Sequence, residues 1–180
     1  QSIFESIINN PTAYPYITDN ADNTYFKWQG TSPYYEPWYD NSRTRDDDGV
    51  ADIFIDHLVA MSDPRLPVYA KPAAKDGVYR GIENGYNKAI PDLTVISRIG
   101  AKYRDDPKGS TPFYRACETY YMMAEAAMNG WKTPMTAEEA YTQGVKLSMA
   151  DNGVDDADVT TYLAGKGKWD NTKSKLYFEW

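Results

Sequence analysis

The sequence predicts a mainly α-helical fold, a tetratricopeptide-like helical hairpin decorated with long irregular loops and few short strands. The first observation is that apolar residues recur at helical spacing through the second half of the chain. The second is that small residues face each other on two successive predicted helices, which lets their backbones approach closely. The third is that Pro, Gly, Asn and Asp interrupt the first half, which has few runs long enough for a strand.

Length and charge narrow the function classes. The 180 residues fit one domain or a large piece of one. The 19 Lys and Arg against 26 Asp and Glu give a formal net charge of -7, so nucleic acid and anionic membrane surfaces are poor partners. No apolar run approaches the roughly 20 residues of a membrane-spanning helix. Cys117 is the only cysteine, which excludes an internal disulfide and a cysteine-based zinc finger.

Residues 1–49 are predicted to form an aromatic-rich loop region. A short helix over residues 3–8 ends at the turn signal Asn9-Asn10-Pro11. The stretch 14–39 then mixes nine aromatic residues with Asn, Asp, Pro and Gly, which predicts one long loop. Loops of this length are uncommon unless they bind something or pack over a neighbouring element. The nine aromatic residues are Tyr14, Tyr16, Tyr25, Phe26, Trp28, Tyr34, Tyr35, Trp38 and Tyr39.

Residues 50–112 are predicted to hold one helix and then extended or turn structure. The run Asp46-Asp47-Asp48 is expected to cap a helix over residues 50–61, which ends at Ser62-Asp63-Pro64. The apolar stripe of this helix is Val50, Ile53, Phe54, His57, Leu58 and Met61.

Prolines and glycines dominate the rest of this region. Pro64 and Pro67 predict that residues 66–70 are extended. Three glycines then predict turns that continue to Ile90-Pro91, and residues 95–103 are expected to form one short strand. The three glycines are Gly77, Gly81 and Gly85.

Residues 113–164 are predicted to form the hairpin and a third short helix. The first helix begins at Phe113 and closes at Asn129-Gly130. A capping box from Thr136 to Glu139 starts the second, and the third covers residues 156–163. The facing small residues are Ala124 and Ala127 on the first helix and Ala140 and Gly144 on the second. One hairpin cannot bury both of its faces, so its neighbours are expected outside these residues.

Most catalytic and metal-binding patterns are absent from the sequence. His57 is the only histidine and lies on an apolar helical stripe, which favours a packed or boundary side chain over a catalytic or metal-binding one. The acidic stretches do not follow the EF-hand spacing and are better explained as caps and turns. Cys117 is predicted to be a small core residue. A glycosidase would need two carboxylates across a cleft, and no spacing selects a pair. We expect neither a cofactor nor a metal.

The aromatic region is the candidate binding site. Flat Tyr and Trp faces can stack on sugar rings while neighbouring Asn and Arg side chains bind hydroxyl groups. The competing interpretation is that these rings only cover the helical core. The candidate glycan-binding residues are Trp28, Tyr34, Tyr35, Trp38, Tyr39, Asn41, Arg43 and Arg45.

Several strings resemble the SusD/RagB family of outer-membrane nutrient-binding lipoproteins. The string DPRLPVYA at residues 63–70 is similar to the family segment that follows a helix. In the family's order come YRGIENG at 79–85, SRIG at 97–100, YYMMAEAAMNGW at 120–131 and the partner helix at 136–149. The likeness is clear over residues 34–163 and weaker on either side, and it implies that residues 1–180 form one SusD-like region.

The resemblance implies a function as well as a fold. It implies a surface-exposed, non-catalytic protein that captures glycan and passes it to a SusC-like TonB-dependent outer-membrane transporter. The family's lipidated N-terminal Cys does not occur here, and Gln1 and Trp180 are interpreted as internal positions of a longer, lipid-anchored chain. A protein-interaction scaffold without glycan binding is the alternative, and a glycan hydrolase is a third hypothesis.

Overall fold

The structure, a computed structural model, describes residues 1–85 and 92–180 of the chain. The helices are α1 (Ser2–Ile8), α2 (Pro37–Thr44), α3 (Asp52–Met61), α4 (Leu66–Tyr69), α5 (Ala101–Arg104), α6 (Ala116–Met128), α7 (Ala137–Asp151), α8 (Asp156–Ala164) and α9 (Lys173–Glu179). The strands are β1 (Thr24–Lys27), β2 (Ala70–Lys71), β3 (Arg98–Ile99) and β4 (Ser110–Tyr114). The predicted mainly α-helical fold class is confirmed.

The strands form two small sheets and the chain forms two compact units. Strand β1 lies beside β4, and β2 pairs antiparallel with β3 so that Ala70 lies opposite Ile99. The hairpin unit comprises residues 1–24 and 112–180, and the loop unit comprises residues 25–111. The predicted aromatic region 1–49 is therefore divided between the two units.

The hairpin unit is built on α6 and α7, as the sequence predicts. Thr136 caps α7 by accepting from the backbone N–H of Glu139, and the Glu139 carboxylate accepts from the Thr136 N–H at 2.8 Å. Asn129 ends α6, and Gly130 follows with φ +74°. A Cβ on Gly144 would lie 2.7 Å from the ring of Tyr121. The small residue on α7 therefore makes room for a buried ring of α6.

Helix α9 covers part of the hairpin, and the sequence analysis did not predict it. Its Leu176 is fully buried, and the ring of Trp180 at its end lies 6.2 Å from that of Tyr121. The buried Glu179 carboxylate accepts from the hydroxyl group of Tyr162 on α8. Tyr141 on α7 donates to the carbonyl oxygen of Gly167 at 2.8 Å. These contacts fasten α8, α9 and the loop between them to the hairpin.

In the loop unit, α3 ends where a buried ion pair begins. Ser62 ends the helix in the left-handed conformation at φ 50°, as the predicted stop signal indicates. The Arg65 guanidinium donates hydrogen bonds to both carboxylate oxygens of Asp63, with Nε 3.0 Å from Oδ1. The Arg65 backbone N–H donates to the same Oδ1 at 2.8 Å. Only 4% of the Arg65 side chain and 2% of the Asp63 side chain are exposed. The ion pair therefore holds a buried turn between α3 and α4.

Residues 66–69 form the helical turn α4, and the prediction of an extended segment is wrong. Pro67 occupies a first-turn position, where its fixed φ suits a helix and its missing N–H costs no hydrogen bond. The chain becomes extended only at Ala70.

Two glycines of the recognised strings stand where backbones meet. A Cβ on Gly100 would lie 1.8 Å from the carbonyl oxygen of Val68, and the Gly100 N–H donates to the Tyr69 carbonyl at 2.9 Å. A Cβ on Gly81 would lie 2.3 Å from the backbone of Asp52. These positions exclude any larger residue because the neighbouring backbone cannot move aside cheaply.

The run Asp46-Asp47-Asp48 does not cap α3, and this prediction is wrong. The helix begins at Asp52, after Ala51, and has no side-chain cap. The Asp46 carboxylate instead pairs with Arg98, at 2.7 Å, and with Arg104. Long-range pairs of this kind leave no local pattern in the sequence.

Further corrections concern the faces and limits of elements. On α3 the buried side chains are Ile55 and Leu58, whereas Ile53 and Phe54 of the predicted stripe are exposed. Residues 95–103 hold the short strand β3 and the turn of helix α5 rather than one strand. Phe113 lies in β4, before α6 begins at Ala116. The predicted turns up to Ile90-Pro91 fall partly outside the described residues.

Breaking the buried ion pair is expected to destabilise the protein strongly. Arg65→Met leaves the Asp63 carboxylate buried and uncompensated, which costs about 3–5 kcal/mol. Arg45→Met is the matched control, because its pair with Asp47 has 72% and 46% of the two side chains exposed and such pairs contribute about 0–1 kcal/mol. Urea unfolding followed by circular dichroism measures both variants. Equal losses of unfolding free energy would contradict this account.

Candidate functional site

The candidate site is built on α2, a short helix where the sequence analysis expected a loop. Pro37 stands in its first turn, and Glu36 caps it by accepting from the backbone N–H of Tyr39 at 2.8 Å. The Glu36 backbone N–H donates to the Pro107 carbonyl at 3.1 Å. Helix α2 buries none of its own residues, so no buried apolar stripe predicts it from the sequence.

Glu36 is the buried anchor of this helix. Only 5% of the residue is exposed, and a Cβ on Gly109 would lie 2.7 Å from its Cγ. Burial raises the pKa of Glu36, the hydrogen bonds from the N–H groups of Tyr39 and Trp38 oppose that rise, and the charge of Asp106 adds to it. The loop that contains Gly109 therefore packs directly onto the helix cap.

Three of the predicted residues come together along α2. The rings of Tyr35 and Tyr39 lie 5.5 Å apart at 51°, and the guanidinium carbon of Arg43 lies 5.1 Å from the Tyr35 ring centre. Arg43 also pairs with Asp40 at 2.7 Å, and this hydrogen bond raises the pKa of the guanidinium. One face of Tyr35 is thus occupied within the protein.

Two other predicted rings are the most exposed of the candidate aromatic residues. Tyr34 is 55% exposed and Trp38 is 47% exposed. Tyr34 ends a tight turn in which its N–H donates to the Thr31 carbonyl at 2.6 Å and its carbonyl accepts from Gly30 at 3.1 Å. Trp38 stands in the first turn of α2. Both rings are therefore held by ordered backbone while they face solvent.

Trp28 has a different environment from Trp38. Its indole N–H donates to the hydroxyl group of Thr111 at 2.9 Å, and its ring meets that of Phe26 at 4.8 Å and 75°. Phe26 itself is 47% exposed. It is one of the nine aromatic residues of the region but is not among the predicted site residues. The described contacts do not join Trp28 to the rings of α2.

The polar candidates are engaged within the segment. The Asn41 amide donates to the Asp48 carboxylate, and Arg45 pairs with Asp47. One nitrogen of each side chain is therefore already engaged by a carboxylate. Their role as hydroxyl-binding groups stays a prediction.

Other residues singled out from the sequence have structural positions. Cys117 is buried in α6, where burial raises the pKa of its thiol, and its prediction as a core residue is confirmed. His57 is half-buried on α3. Within residues 1–85 and 92–180, no group of three His, Cys, Asp or Glu side chains could hold a metal ion, and no helix there is long and apolar enough to cross a membrane.

The hairpin unit has an open groove of its own. It has a volume of about 530 Å³ and lies at the turn between α6 and α7. Its apolar lining includes Trp131, Pro134 and Met135. The ring of Phe4 on α1 contacts Trp131 edge-on at 5.7 Å.

A family model described as "SusD-like: starch-binding associating with outer membrane" matches residues 1–177. The chain belongs to this SusD-like family. Comparison with curated protein sequences gives no match.

Solved structures share the fold. A SusD homologue from Bacteroides fragilis has 20% identity and a TM-score of 0.74, with 98% of this chain and 45% of that chain covered. A chitin-binding SusD homologue from Flavobacterium johnsoniae has 23% identity and a TM-score of 0.69, with 88% and 34% covered. A homologue from Bacteroides thetaiotaomicron has 24% identity and a TM-score of 0.72, with 90% and 33% covered. The chain therefore spans between a third and a half of these relatives.

The raised pKa of Glu36 predicts a pH-dependent effect of Glu36→Gln. Between its ordinary value of 4.5 and the raised value, the folded state binds more protons than the unfolded state, so wild-type stability falls as pH rises through this window. Gln keeps an acceptor oxygen and does not titrate. The melting temperature of Glu36→Gln should therefore rise relative to wild type as pH increases from 4 to 7.

Glu36→Ala is the control, because it removes the cap at every pH and costs about 1 kcal/mol. A constant difference in melting temperature between Glu36→Gln and wild type across this pH range would show that the pKa of Glu36 is not raised.

Proposed function

We propose that this chain is the binding part of a non-catalytic glycan-binding protein at the outer-membrane surface, and that α2 and its flanking turn form the platform. The observation that carries the proposal is that Tyr34 and Trp38 expose large rings, Tyr34 from a hydrogen-bonded turn and Trp38 from a helix capped by the buried Glu36. The family description names starch binding and association with the outer membrane, which supports this ligand class and location.

Ring stacking explains how such a surface could bind sugar. A pyranose presents an apolar face of C–H groups and a rim of hydroxyl groups, so it needs a flat apolar surface with polar groups at the edge. Trp38 and Tyr34 offer the flat surface, and Asn41, Arg43 and Arg45 lie nearby in the chain as hydrogen-bond donors. Each aromatic contact contributes on the order of 0.5–1.5 kcal/mol beyond its buried area. Trp28, Tyr35 and Tyr39 complete the proposed set.

The openness of the platform favours a polymer as ligand. A small-molecule site commonly encloses most of its ligand, whereas Tyr34 and Trp38 are about half exposed. A long glycan can pass over such a surface and leave at both ends. The affinity for such a glycan then depends on several rings. Side chains that are already ordered before binding lower the entropic cost of binding.

We further propose that the parent protein is lipid-anchored and delivers oligosaccharide to a SusC-like TonB-dependent transporter. The resemblance of the strings at residues 63–70, 79–85, 97–100 and 120–131 supports this role. Binding without catalysis suits a protein that transfers intact oligosaccharide.

Replacing the two open rings tests the platform. Tyr34→Ala with Trp38→Ala should weaken binding of the best glycan in a starch and chito-oligosaccharide panel by roughly 5- to 150-fold, since two ring contacts of 0.5–1.5 kcal/mol are lost. Affinity electrophoresis and calorimetry measure the change. Phe113→Ala, which removes a 69% exposed ring from β4, is the matched control and should not alter affinity.

The helical circular dichroism of the double variant should match that of wild type, because neither ring is buried. A separate Trp28→Ala variant reports whether that ring belongs to the same site. Unchanged affinity in the Tyr34/Trp38 variant would remove α2 from the glycan site.

A protein-interaction scaffold is the second candidate function. The specific observation is that α3 exposes 67% of Ile53 and 42% of Phe54, and aromatic residues are enriched at protein interfaces. Two results together would favour this function. No glycan would bind, and the protein would capture the transporter barrel in a way that Phe54→Asp abolishes. Glycan binding that survives Phe54→Asp would favour the first.

A further inference from the structure

The platform segment combines exposed rings with an excess of carboxylates. Residues 34–48 contain five carboxyl groups and two guanidinium groups. Counting Arg98 and Arg104, which pair with Asp46, leaves a formal excess of one negative charge here, in a chain whose formal net charge is -7. The carboxyl groups belong to Glu36, Asp40, Asp46, Asp47 and Asp48.

Each positive charge of this segment is paired with one of those carboxylates. Arg43 binds Asp40 at 2.7 Å with about half of each side chain exposed, and Arg45 binds Asp47. A ligand carboxylate or sulfate bound to either guanidinium group would lie beside the Asp that already pairs with that group, and the two negative charges would repel each other.

The surrounding cations are engaged as well. Arg98 and Arg104 both pair with Asp46, and their side chains are only 14% and 20% exposed. Arginine binds carboxylate or sulfate best through two parallel hydrogen bonds from an available guanidinium group. Within residues 34–48, both guanidinium groups already pair with a carboxylate.

We propose that the platform selects neutral glycans and rejects glycans that carry carboxylate or sulfate groups. This inference rests on the proposed function and names its ligand class. The rings supply attraction to any pyranose face, and the surplus carboxylates supply repulsion against acidic sugars. Discrimination built from an attractive and a repulsive element is how related ligands are separated. A paired Asp, such as Asp40, also remains able to accept hydrogen bonds from neutral hydroxyl groups.

The test compares polymers that differ in charge alone. Affinity electrophoresis and calorimetry are run with starch and chito-oligosaccharides and with polygalacturonate and its fully methyl-esterified form. We expect a neutral glycan to bind with an affinity that changes less than twofold between 20 and 500 mM NaCl, because no ligand charge is involved. Polygalacturonate is expected to bind more weakly than its ester at low salt.

Asp40→Asn provides the sharper test. It keeps the size of the side chain and the carbonyl acceptor but releases the Arg43 charge. A unit charge about 6 Å from a ligand carboxylate changes the energy by about 0.7 kcal/mol in water and more near a protein surface, so the affinity for polygalacturonate should rise about 3- to 10-fold at low salt. The gain should fade at 500 mM NaCl. Asp170→Asn, a like change in the hairpin unit, is the control and should have no effect.

The outcomes separate this inference from the proposed function. Tight, salt-sensitive binding of polygalacturonate by wild type, lost with Tyr34→Ala and Trp38→Ala, would overturn neutral selectivity and leave α2 as a glycan platform. No gain for Asp40→Asn would also overturn the charge argument. Absence of binding to every polymer would overturn the proposed function and this inference with it.

Discussion

The buried Asp63–Arg65 ion pair is the constraint on which the loop unit depends. Burying two charges is costly and is offset only by good geometry and additional hydrogen bonds, and here the guanidinium meets both carboxylate oxygens while the Arg65 N–H supplies a third bond. The pair lies in the turn between α3 and α4. The Tyr69 carbonyl at the end of α4 then receives the Gly100 N–H that starts α5. Helix α5 in turn offers the Arg104 carbonyl to the hydroxyl group of Ser42 on α2, at 3.3 Å. The aromatic platform therefore stands at the end of a series of contacts that begins at this ion pair.

The strings that carry the family resemblance are explained by packing rather than by ligand binding. The DPRLP string supplies the ion pair and the first-turn proline of α4. Gly81 and Gly100 lie where a Cβ would strike neighbouring backbone. Ser97 is fully buried, and its hydroxyl group accepts from the Arg80 N–H at 2.9 Å. Such residues identify the fold because backbone geometry tolerates few replacements. The platform on α2 lies outside these strings, where side chains face solvent and a change of ligand need not disturb the scaffold.

Features of the fold that arise from short-range chemistry could be predicted from the sequence, and those that depend on distant partners could not. The capping box at Thr136, the stop at Gly130 and the buried Cys117 follow from patterns a few residues long, and all three are confirmed. The turn at Pro67 was mispredicted because a proline that disfavours helix for the preceding residue also favours the first turn of a helix. The role of Asp46 depends on Arg98, 52 positions away. For the site, the sequence supplied the residue types but could not show which rings remain exposed and which donors are already paired.

Glu36 lowers the folding stability near neutral pH but orders the start of α2. A carboxyl group whose pKa is raised by burial opposes folding near neutral pH, yet the same group fixes the start of α2 by capping the Tyr39 N–H. A helix of eight residues is too short to persist on its own propensity. Its persistence therefore requires the cap, the contact with residues 106–109 and the bond from Ser42. In the proposed function, a backbone that is ordered before ligand binds removes an entropic cost that would otherwise be subtracted from the weak contacts of Trp38 and Tyr34. A modest loss of folding stability thus accompanies the ordered surface that we propose to bind glycan.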